Sequence, residues 1–529
     1  MSLERKSGIL AHPTSFPSNW GIGDLGYGTY NFIDFLSKSN QKLWQILPLG
    51  PTSFGDSPYQ CFSTFAGNHY LISLDELINE GILTLEELSF YPKLNDKKVE
   101  YGDTIENKNK ALEIAYNNFK NKGLFESDEN YKKFVKNSKW WLDDYCLFMA
   151  IKYYLISERD GEFEPEEWHK YKEDKKDYLS NDEINAFFYG AVWNSWPSDI
   201  ANREEKAVKK WAEKLENEIN LHKFLQYKFF TQWSNVKKYA NARNIEIIGD
   251  IPIFVALDSS DVWANKELFH IDKEGNPTSV AGVPPDYFST TGQLWGNPLY
   301  KWDTHSKLGY KWWIKRISSM LNLVDTIRID HFRGFDEYWS VPYGSETAIN
   351  GKWIQGPRKE LFYALEKELG NLPIIAEDLG ILTKTVEELR DELGLPGMKI
   401  LQFAFDLSDG NFYIPHNYKN SNCIVYSGTH DNDTTVGWYN GTTEEQRDAC
   451  RRYMNVSGED IAWDFIRLAW STTASYSIAP IQDLFSLGSE HRMNTPGVSV
   501  GNWQFRYTYD MLNDEIANRL TYLTKLFER

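Results

Sequence analysis

Two rhythms of hydrophobic and polar positions run along the chain. The first is a short apolar run that stops at a polar or glycine-marked exit. Ile245-Glu-Ile-Ile-Gly-Asp250, Asp325-Thr-Ile-Arg-Ile-Asp330, Leu372-Pro-Ile-Ile-Ala-Glu377, Lys399-Ile-Leu-Gln-Phe403 and Asn422-Cys-Ile-Val-Tyr426 are of this kind. Their β-branched and apolar content predicts buried strands. Lys42-Leu-Trp-Gln-Ile-Leu-Pro-Leu49, Tyr70-Leu-Ile-Ser-Leu74 and Tyr476-Ser-Ile-Ala-Pro-Ile481 predict three more. The second rhythm repeats every three or four positions. Leu221, Phe224, Leu225, Phe229, Trp233 and Val236 fall on one face of a helix by this spacing. Further helices are predicted over 310–323, 360–369, 383–393, 444–455 and 460–474.

Strands near 43, 71, 246, 326, 374, 400, 424 and 478 make eight, and the later ones alternate with helices. Alternation implies a parallel sheet, and eight such units imply an α/β fold of the (β/α)8 TIM barrel type. From 75 onward charge density rises and the pattern turns helical, so 75–220 is predicted as a mostly helical insertion that splits the barrel after its second strand. Residues 255–305 predict a loop-rich insertion over the active site. Its stretch 282–302 holds five aromatics, Tyr287, Phe288, Trp295, Tyr300 and Trp302, which argue against disorder. An aromatic-walled binding loop and a lid over core are both compatible with it. The whole chain, 1–529, is then one catalytic barrel domain with insertions. About 50 residues follow the last predicted strand, which leaves little room for a separate C-terminal β-domain.

Composition narrows the partners. The 529 residues carry a formal net charge of −18, which disfavours nucleic acid and anionic membranes. Twenty Trp, 31 Tyr and 30 Phe supply core and also suit a protein that lays flat ligands on ring faces. The four cysteines, Cys61, Cys146, Cys423 and Cys450, form no CxxC pair or metal pattern and read as reduced thiols. No signal peptide is visible, and no apolar run approaches the ~18 residues needed to span a bilayer. A cytoplasmic location is expected. Gly21, Gly23 and Gly26 match the dinucleotide fingerprint in spacing only: they follow a proline-broken loop rather than a strand, so a tight turn is the better reading.

Candidate chemistry lies where the strands end. Asp250, Asp330, Glu377 and Asp431 close four of them, and in a barrel those ends share one rim. A single strand-end Asp is more often a cap than a catalyst. Four on one rim, with Arg328 and His430 beside them, exceed what capping explains and would perturb one another's ionisation. Acid pairs beside an aromatic cleft suggest glycosyl transfer, in which one carboxylate attacks or activates water and the other protonates the leaving oxygen. Arg328 lies two residues before Asp330, on the same strand face, where its cation would keep Asp330 ionised. Within Glu377-Asp378 alternation sends the side chains apart, so Asp378 reads as a structural partner. His331, Arg333 and Asp336 read as braces of the turn.

These residues also carry a resemblance. Arg328-Ile-Asp-His-Phe-Arg-Gly334, Ala376-Glu-Asp-Leu-Gly380, Gly428-Thr-His-Asp-Asn-Asp433, Asp250-Ile-Pro-Ile-Phe-Val255 and Gly292-Gln-Leu-Trp-Gly-Asn-Pro298 resemble signature blocks of the amylomaltases. These are the 4-α-glucanotransferases, or disproportionating enzymes, related to the α-amylase clan. The segment 8–26, Ser57-Pro-Tyr59, Phe65-Ala-Gly-Asn68 and Gly501-Asn-Trp503 are similar too. Ala11 and Phe16 depart from it, standing where leucines are usual, and the helical insertion matches no block.

The resemblance implies that Asp330 is the nucleophile of a covalent glucosyl-enzyme and Glu377 the general acid/base. Asp431 would stabilise the oxocarbenium-like transition state. A retaining pair of this kind is expected to stand about 5–5.5 Å apart. His430, Asp250, Gln293 and Arg328 would serve the sugar or the carboxylates, Tyr59 and Trp295 would stack on the glucan, and Ser57 and Asn494 are further binding residues. Donors are expected to be maltooligosaccharides and α-1,4-glucans, with a glucan or glucose as acceptor and no metal or cofactor. An α-1,4-glucan hydrolase with the same acids and a non-catalytic glucan-binding protein are the alternatives.

Overall fold

The computed structural model describes residues 4–162, 192–285, 289–380, 383–498 and 500–529. Its strands, labelled in chain order, belong to two sheets. The larger sheet contains β1 (Lys6–Leu10), β2 (Leu43–Gln45), β3 (Glu246–Pro252), β6 (Thr326–Asp330), β9 (Ile374–Ala376), β10 (Gly397–Ile400), β11 (Cys423–Tyr426) and β12 (Tyr476–Pro480). Their order is β10-β11-β12-β1-β2-β3-β6-β9, and every recorded pairing is parallel. Beyond β9 the Ala376 N–H donates to the Pro396 carbonyl at 2.9 Å, one residue before β10, which brings the sheet almost full circle. The architecture is a (β/α)8 barrel. Its strands are short and buried on both faces, so they read as apolar runs instead of alternating patterns.

One predicted barrel strand is replaced by another. Residues 70–74 are core, with Leu71 and Ile72 fully buried, but their backbone forms a 3-10 turn at His69–Leu71 and a helix from Leu74. Asn68 and Ser73 supply the reason: their side chains accept from the Tyr70 and Glu76 N–H groups and cap the two turns. A short apolar run does not by itself distinguish strand from buried turn. The missing strand is β1, which holds a single β-branched residue. Its Gly8 packs so closely on β2 that a Cβ would lie 2.1 Å from the Leu43 carbonyl oxygen.

Residues 282–302 are likewise not loop throughout. β4 (Ser279–Val283) and β5 (Gln293–Pro298) pair antiparallel, and with β7 (Glu337–Pro342) and β8 (Lys352–Gln355) they build a small sheet of order β5-β4-β7-β8. Glycines at 282 and 296 and the terminal Pro298 disguised these strands as turn. Tyr287 and Phe288, counted among the aromatics of this stretch, lie outside the described residues, as do 163–191 of the helical stretch.

Around the barrel run the helices Tyr27–Lys38, Glu216–Asn241, Lys311–Leu323, Arg358–Leu369, Lys384–Glu392, Ile461–Ser471 and Asp514–Leu526. The long helices Tyr101–Asn121 and Glu129–Glu162 pack on Glu216–Asn241 through the rings of Phe119, Tyr131, Phe224 and Tyr227. Among the described residues only helices and loops follow β12, and no helix is long and apolar enough to cross a membrane.

Candidate functional site

Parallel register places the rim chemistry. Asp250 on β3 pairs directly with Arg328 on β6, so both side chains leave the same face of the sheet. Arg328 Nη1 lies 2.5 Å from Asp250 Oδ2 and 3.1 Å from Asp330 Oδ1. Its Nε faces Met398 Sδ at 3.3 Å. One buried guanidinium therefore serves two carboxylates. Burial alone would lower the Arg328 pKa, yet Asp250 and Asp330 hold it well above the ordinary value. Burial raises Asp330 and the guanidinium pulls it back, leaving it at about 6.

Glu377 sits one residue beyond β9 in a different environment. Its Oε2 accepts from the His331 N–H at 2.6 Å and its Oε1 from the Leu379 N–H at 2.9 Å. No ion pair reaches it among the described residues. Burial and the neighbouring Asp330 charge push its carboxyl up to about 8, against the pull of Arg328 and the two amides. The chain turns sharply to allow this: His331 has φ 51, the left-handed region, and aims its amide at Glu377.

Asp431 follows β11 in the segment Gly428–Asp433. Its Oδ2 lies 3.3 Å from His430 Nε2, its Oδ1 accepts from Asn494 Nδ2 at 2.6 Å, and its backbone carbonyl accepts from Arg492. Burial favours the neutral acid, but the imidazole and the Asn494 amide outweigh it and hold Asp431 well below the usual range. In return His430 is raised, because Asp431 outweighs the burial that would lower it. Asp431 and Asp330 keep 43% and 29% of their side-chain surface, whereas Asp250 is sealed. The cleft thus opens onto two of the four carboxylates.

Tyr59 ties these groups together. Its hydroxyl donates to Asp250 Oδ2 at 2.8 Å, and its ring stacks on His430 with centroids 5.1 Å apart and planes 13° from parallel. Ser57 is drawn into the turn below: its hydroxyl accepts from the Tyr59 N–H at 3.3 Å. From the small sheet, Trp295 meets the His331 ring edge-on at 4.8 Å and donates to Gln293 Oε1 at 3.2 Å. Asp378 points away from this group, toward Arg390 and the Met398 N–H.

All the candidate residues except Ser57 and Gln293 connect directly to a rim carboxylate or to His331. Those two reach the site through Tyr59 and Trp295. His331, read from sequence as a turn brace, holds Glu377 with its backbone and Trp295 with its ring. Trp503 was given no role, yet it flanks both Tyr59 and His430, with centroids at 5.9 and 6.1 Å. The crowding of ionisable groups at 330–333 and the glycine at 501 were the available signals. Asp250 Oδ1, His430 Nδ1 and His331 Nε2 are buried without a hydrogen-bond partner among the described residues. No three His, Cys, Asp or Glu side chains group as a metal site among the described residues. Chemically, the rim offers one carboxyl that is ionised near neutrality, one that is protonated, and a third fixed as an anion.

A family model described as 4-alpha-glucanotransferase matches residues 11–512. A 4-alpha-glucanotransferase of Synechocystis sp. is 49% identical over 99% of this chain and 98% of its own. That of Thermus thermophilus is 43% identical over 100% of both chains. Among solved structures, an amylomaltase from Streptococcus agalactiae in complex with acarbose is 38% identical, covers 99% of this chain and 100% of its own, and superposes with a TM-score of 0.89.

Proposed function

The chain belongs to the 4-alpha-glucanotransferase family and is an enzyme of that class, and from this premise we propose that it works by a retaining double displacement centred on Asp330. A donor α-1,4-glucan binds across the rim with its scissile bond between Asp330 and Glu377. The Asp330 carboxylate attacks the anomeric carbon while Glu377 gives its proton to the departing 4-oxygen, which leaves as a shortened glucan. A covalent β-glucosyl ester remains. An acceptor 4-hydroxyl, from a glucan or from glucose, then loses its proton to Glu377 and attacks the same carbon, releasing Asp330. Asp431 stabilises the positive charge that develops on the sugar ring in both steps. Asp250, His430 and Arg328 hold sugar hydroxyls or the carboxylates. Tyr59 and Trp295 give stacking surfaces, and Ser57, Gln293 and Asn494 hold these groups or the sugar in place. The barrel over 1–529 is the catalytic unit, with 75–220 and 255–305 as insertions, and the enzyme acts in the cytoplasm.

The observation that carries this reading is the split between the two carboxyls. Asp330 shares a cation and sits at about 6; Glu377 has none and sits at about 8. Between those values one is a base and nucleophile and the other an acid, which is the division of labour the chemistry needs. Acarbose bound to the streptococcal amylomaltase, a relative with the same fold, supports a glucan in the cleft.

Incubation with pure maltotriose tests it. Transfer gives glucose together with chains longer than maltotriose, the new bonds having the α configuration by NMR. Products that only shorten favour the hydrolase, and no products at all favour a binding protein. Mass spectrometry of enzyme quenched during turnover on a fluorinated maltosyl donor is expected to find the added mass on the peptide containing Asp330.

A further inference from the structure

Outside the catalytic rim a further opening lies between the helix Glu129–Glu162 and the first turns of Lys311–Leu323. It is an open pocket whose empty volume, open solvent included, is about 830 Å³. It shares no residue with the cleft. Its wall on the insertion side carries Trp140 and Trp141, and Trp140 keeps 42% of its surface in solvent. An exposed tryptophan is uncommon, and this one is held in place. Phe65 meets it edge-on at 4.9 Å and the Lys315 ammonium lies 4.6 Å from its ring centre.

The floor is polar and buried. Asp261 is 3% exposed and its Oδ2 accepts from the Thr64 N–H at 2.7 Å; Oδ1 has no side-chain partner among the described residues. Beside it Trp312, 8% exposed, has no partner for its Nε1–H. Glu267 and Lys311 stand at the mouth. Asp144, which also lines the pocket, is taken up by Arg203 at 2.6 Å. The two remaining carboxyls are Asp261, which burial raises to about 7, and Glu267; they face the ammoniums of Lys311 and Lys315. An anion such as a phosphate ester would meet those carboxyls; a cation would meet the ammoniums. A neutral molecule with many hydroxyls and one flat apolar face suits a ring surface beside mixed donors and acceptors.

We propose that this pocket is a second carbohydrate site, which holds a stretch of α-1,4-glucan away from the rim. The proposal rests on the glucan reading above. It follows from the polymer nature of the substrate: a chain held at one place raises its effective concentration at another on the same molecule. The pocket is braced to the barrel for that purpose. Arg316, on the same helix as Trp312, donates to Thr64 Oγ1 at 2.9 Å and to the Ile253 carbonyl at 2.9 Å, three residues past Asp250. A load on Trp140 and Trp312 is thereby borne by the end of β3.

The test uses the full chain. Maltoheptaose is titrated calorimetrically into Asp330→Asn, which binds without consuming it, and into the double variant with Trp140→Ala. Two binding events are expected for the first and one for the second. In the active enzyme Trp140→Ala is expected to raise the KM for amylose roughly three- to ten-fold, the worth of one aromatic contact. Turnover of maltotriose, too short to reach both sites, stays within two-fold, and Trp140→Tyr restores the amylose KM. A single binding event in Asp330→Asn, or an amylose KM indifferent to Trp140→Ala, overturns the second site. Asp330→Asn that binds no glucan, or that turns over like the parent, overturns instead the function proposed for the rim.

Discussion

The two rims of the barrel use the same residue types to opposite ends. Where the strands begin, each charge has a partner of its own. Asp325, just before β6, accepts from the Ile247 N–H at 2.8 Å and Asn241 Nδ2 at 2.9 Å and faces Lys237 at 3.5 Å. Lys6 at the start of β1 pairs with Glu246 at the start of β3 at 2.7 Å. Arg529 spends its guanidinium on the carbonyls of Trp470, Thr472 and Ala474. Where the strands end, Asp250 and Asp330 share one guanidinium, Asp431 has one imidazole and Glu377 has two backbone amides. Asp325 and Asp330 lie five positions apart, at the two ends of one strand, and what distinguishes the brace from the proposed nucleophile is the supply of partners. At the strand-end rim burial raises two of these carboxyls, Asp330 to about 6 and Glu377 to about 8.

The contrast breaks most decisively on paired substitutions of those two aspartates. Asp330→Asn is expected to cost on the order of 10⁴-fold or more in kcat with glucan binding kept. Asp325→Asn is expected to leave kcat within two-fold and to lower stability by about 1–2 kcal/mol, through a weakened hydrogen-bonded ion pair. Steady-state kinetics and thermal unfolding on both variants decide it; comparable activity losses would erase the distinction between the rims.

Next in size is the pH profile. The proposed mechanism uses Asp330 ionised and Glu377 protonated, so kcat/KM for maltotriose should be bell-shaped, with limbs near 6 and 8 and a roughly ten-fold fall per pH unit beyond each. Arg328→Lys, which loosens the cation shared by Asp250 and Asp330, should move the acid limb upward and leave the alkaline limb in place. A flat profile from 5 to 9 would contradict the split.

The same displacement has a cost in stability with a definite sign. Unfolded, Glu377 titrates at about 4.3. Folded, it holds its proton to about 8, so between those values the native state binds more protons than the unfolded chain. Stability from this group therefore falls as pH rises from about 4 to about 8 and is level outside that window. Glu377→Gln cannot titrate. Its Tm relative to the parent should climb by a few degrees between pH 5 and pH 8, as calorimetry at matched ionic strength would record. A difference independent of pH would mean that Glu377 is ionised in the fold. The smallest effect is expected at Ser57, whose hydroxyl touches only the Tyr59 amide: Ser57→Ala should change KM less than about three-fold.

Much of this was legible in the chain. Seven of the eight barrel strands are visible as apolar runs, because strands buried on both faces need no alternation to be recognised. The rim carboxylates are visible because four strand exits carry one, more than capping explains. Residues 70–74 misled because composition there reports burial, and the hydrogen bonds from Asn68 and Ser73 decide the backbone. β1 was missed for the converse reason: Gly8 signals a close approach only once Leu43 is known to lie opposite. The strands of the small sheet were hidden by glycines that local patterning reads as turns.

By itself, then, the sequence determined the barrel, the four strand-end carboxylates and the side of β6 that Arg328 shares with Asp330, since each follows from periodicity along one strand. Tertiary structure decided the full surroundings of each acid. Whether a carboxyl is ionised depends on which cation, amide or ring stands beside it; Arg328 and His430 are near Asp330 and Asp431 in the chain, but other neighbours come from far away. Asp250 lies 78 residues from the guanidinium it shares with Asp330, and Glu377 lies 46 residues from the His331 amide. Electrostatic energy falls with distance in space and is indifferent to distance along the chain. The meeting of these distant groups exists only after folding.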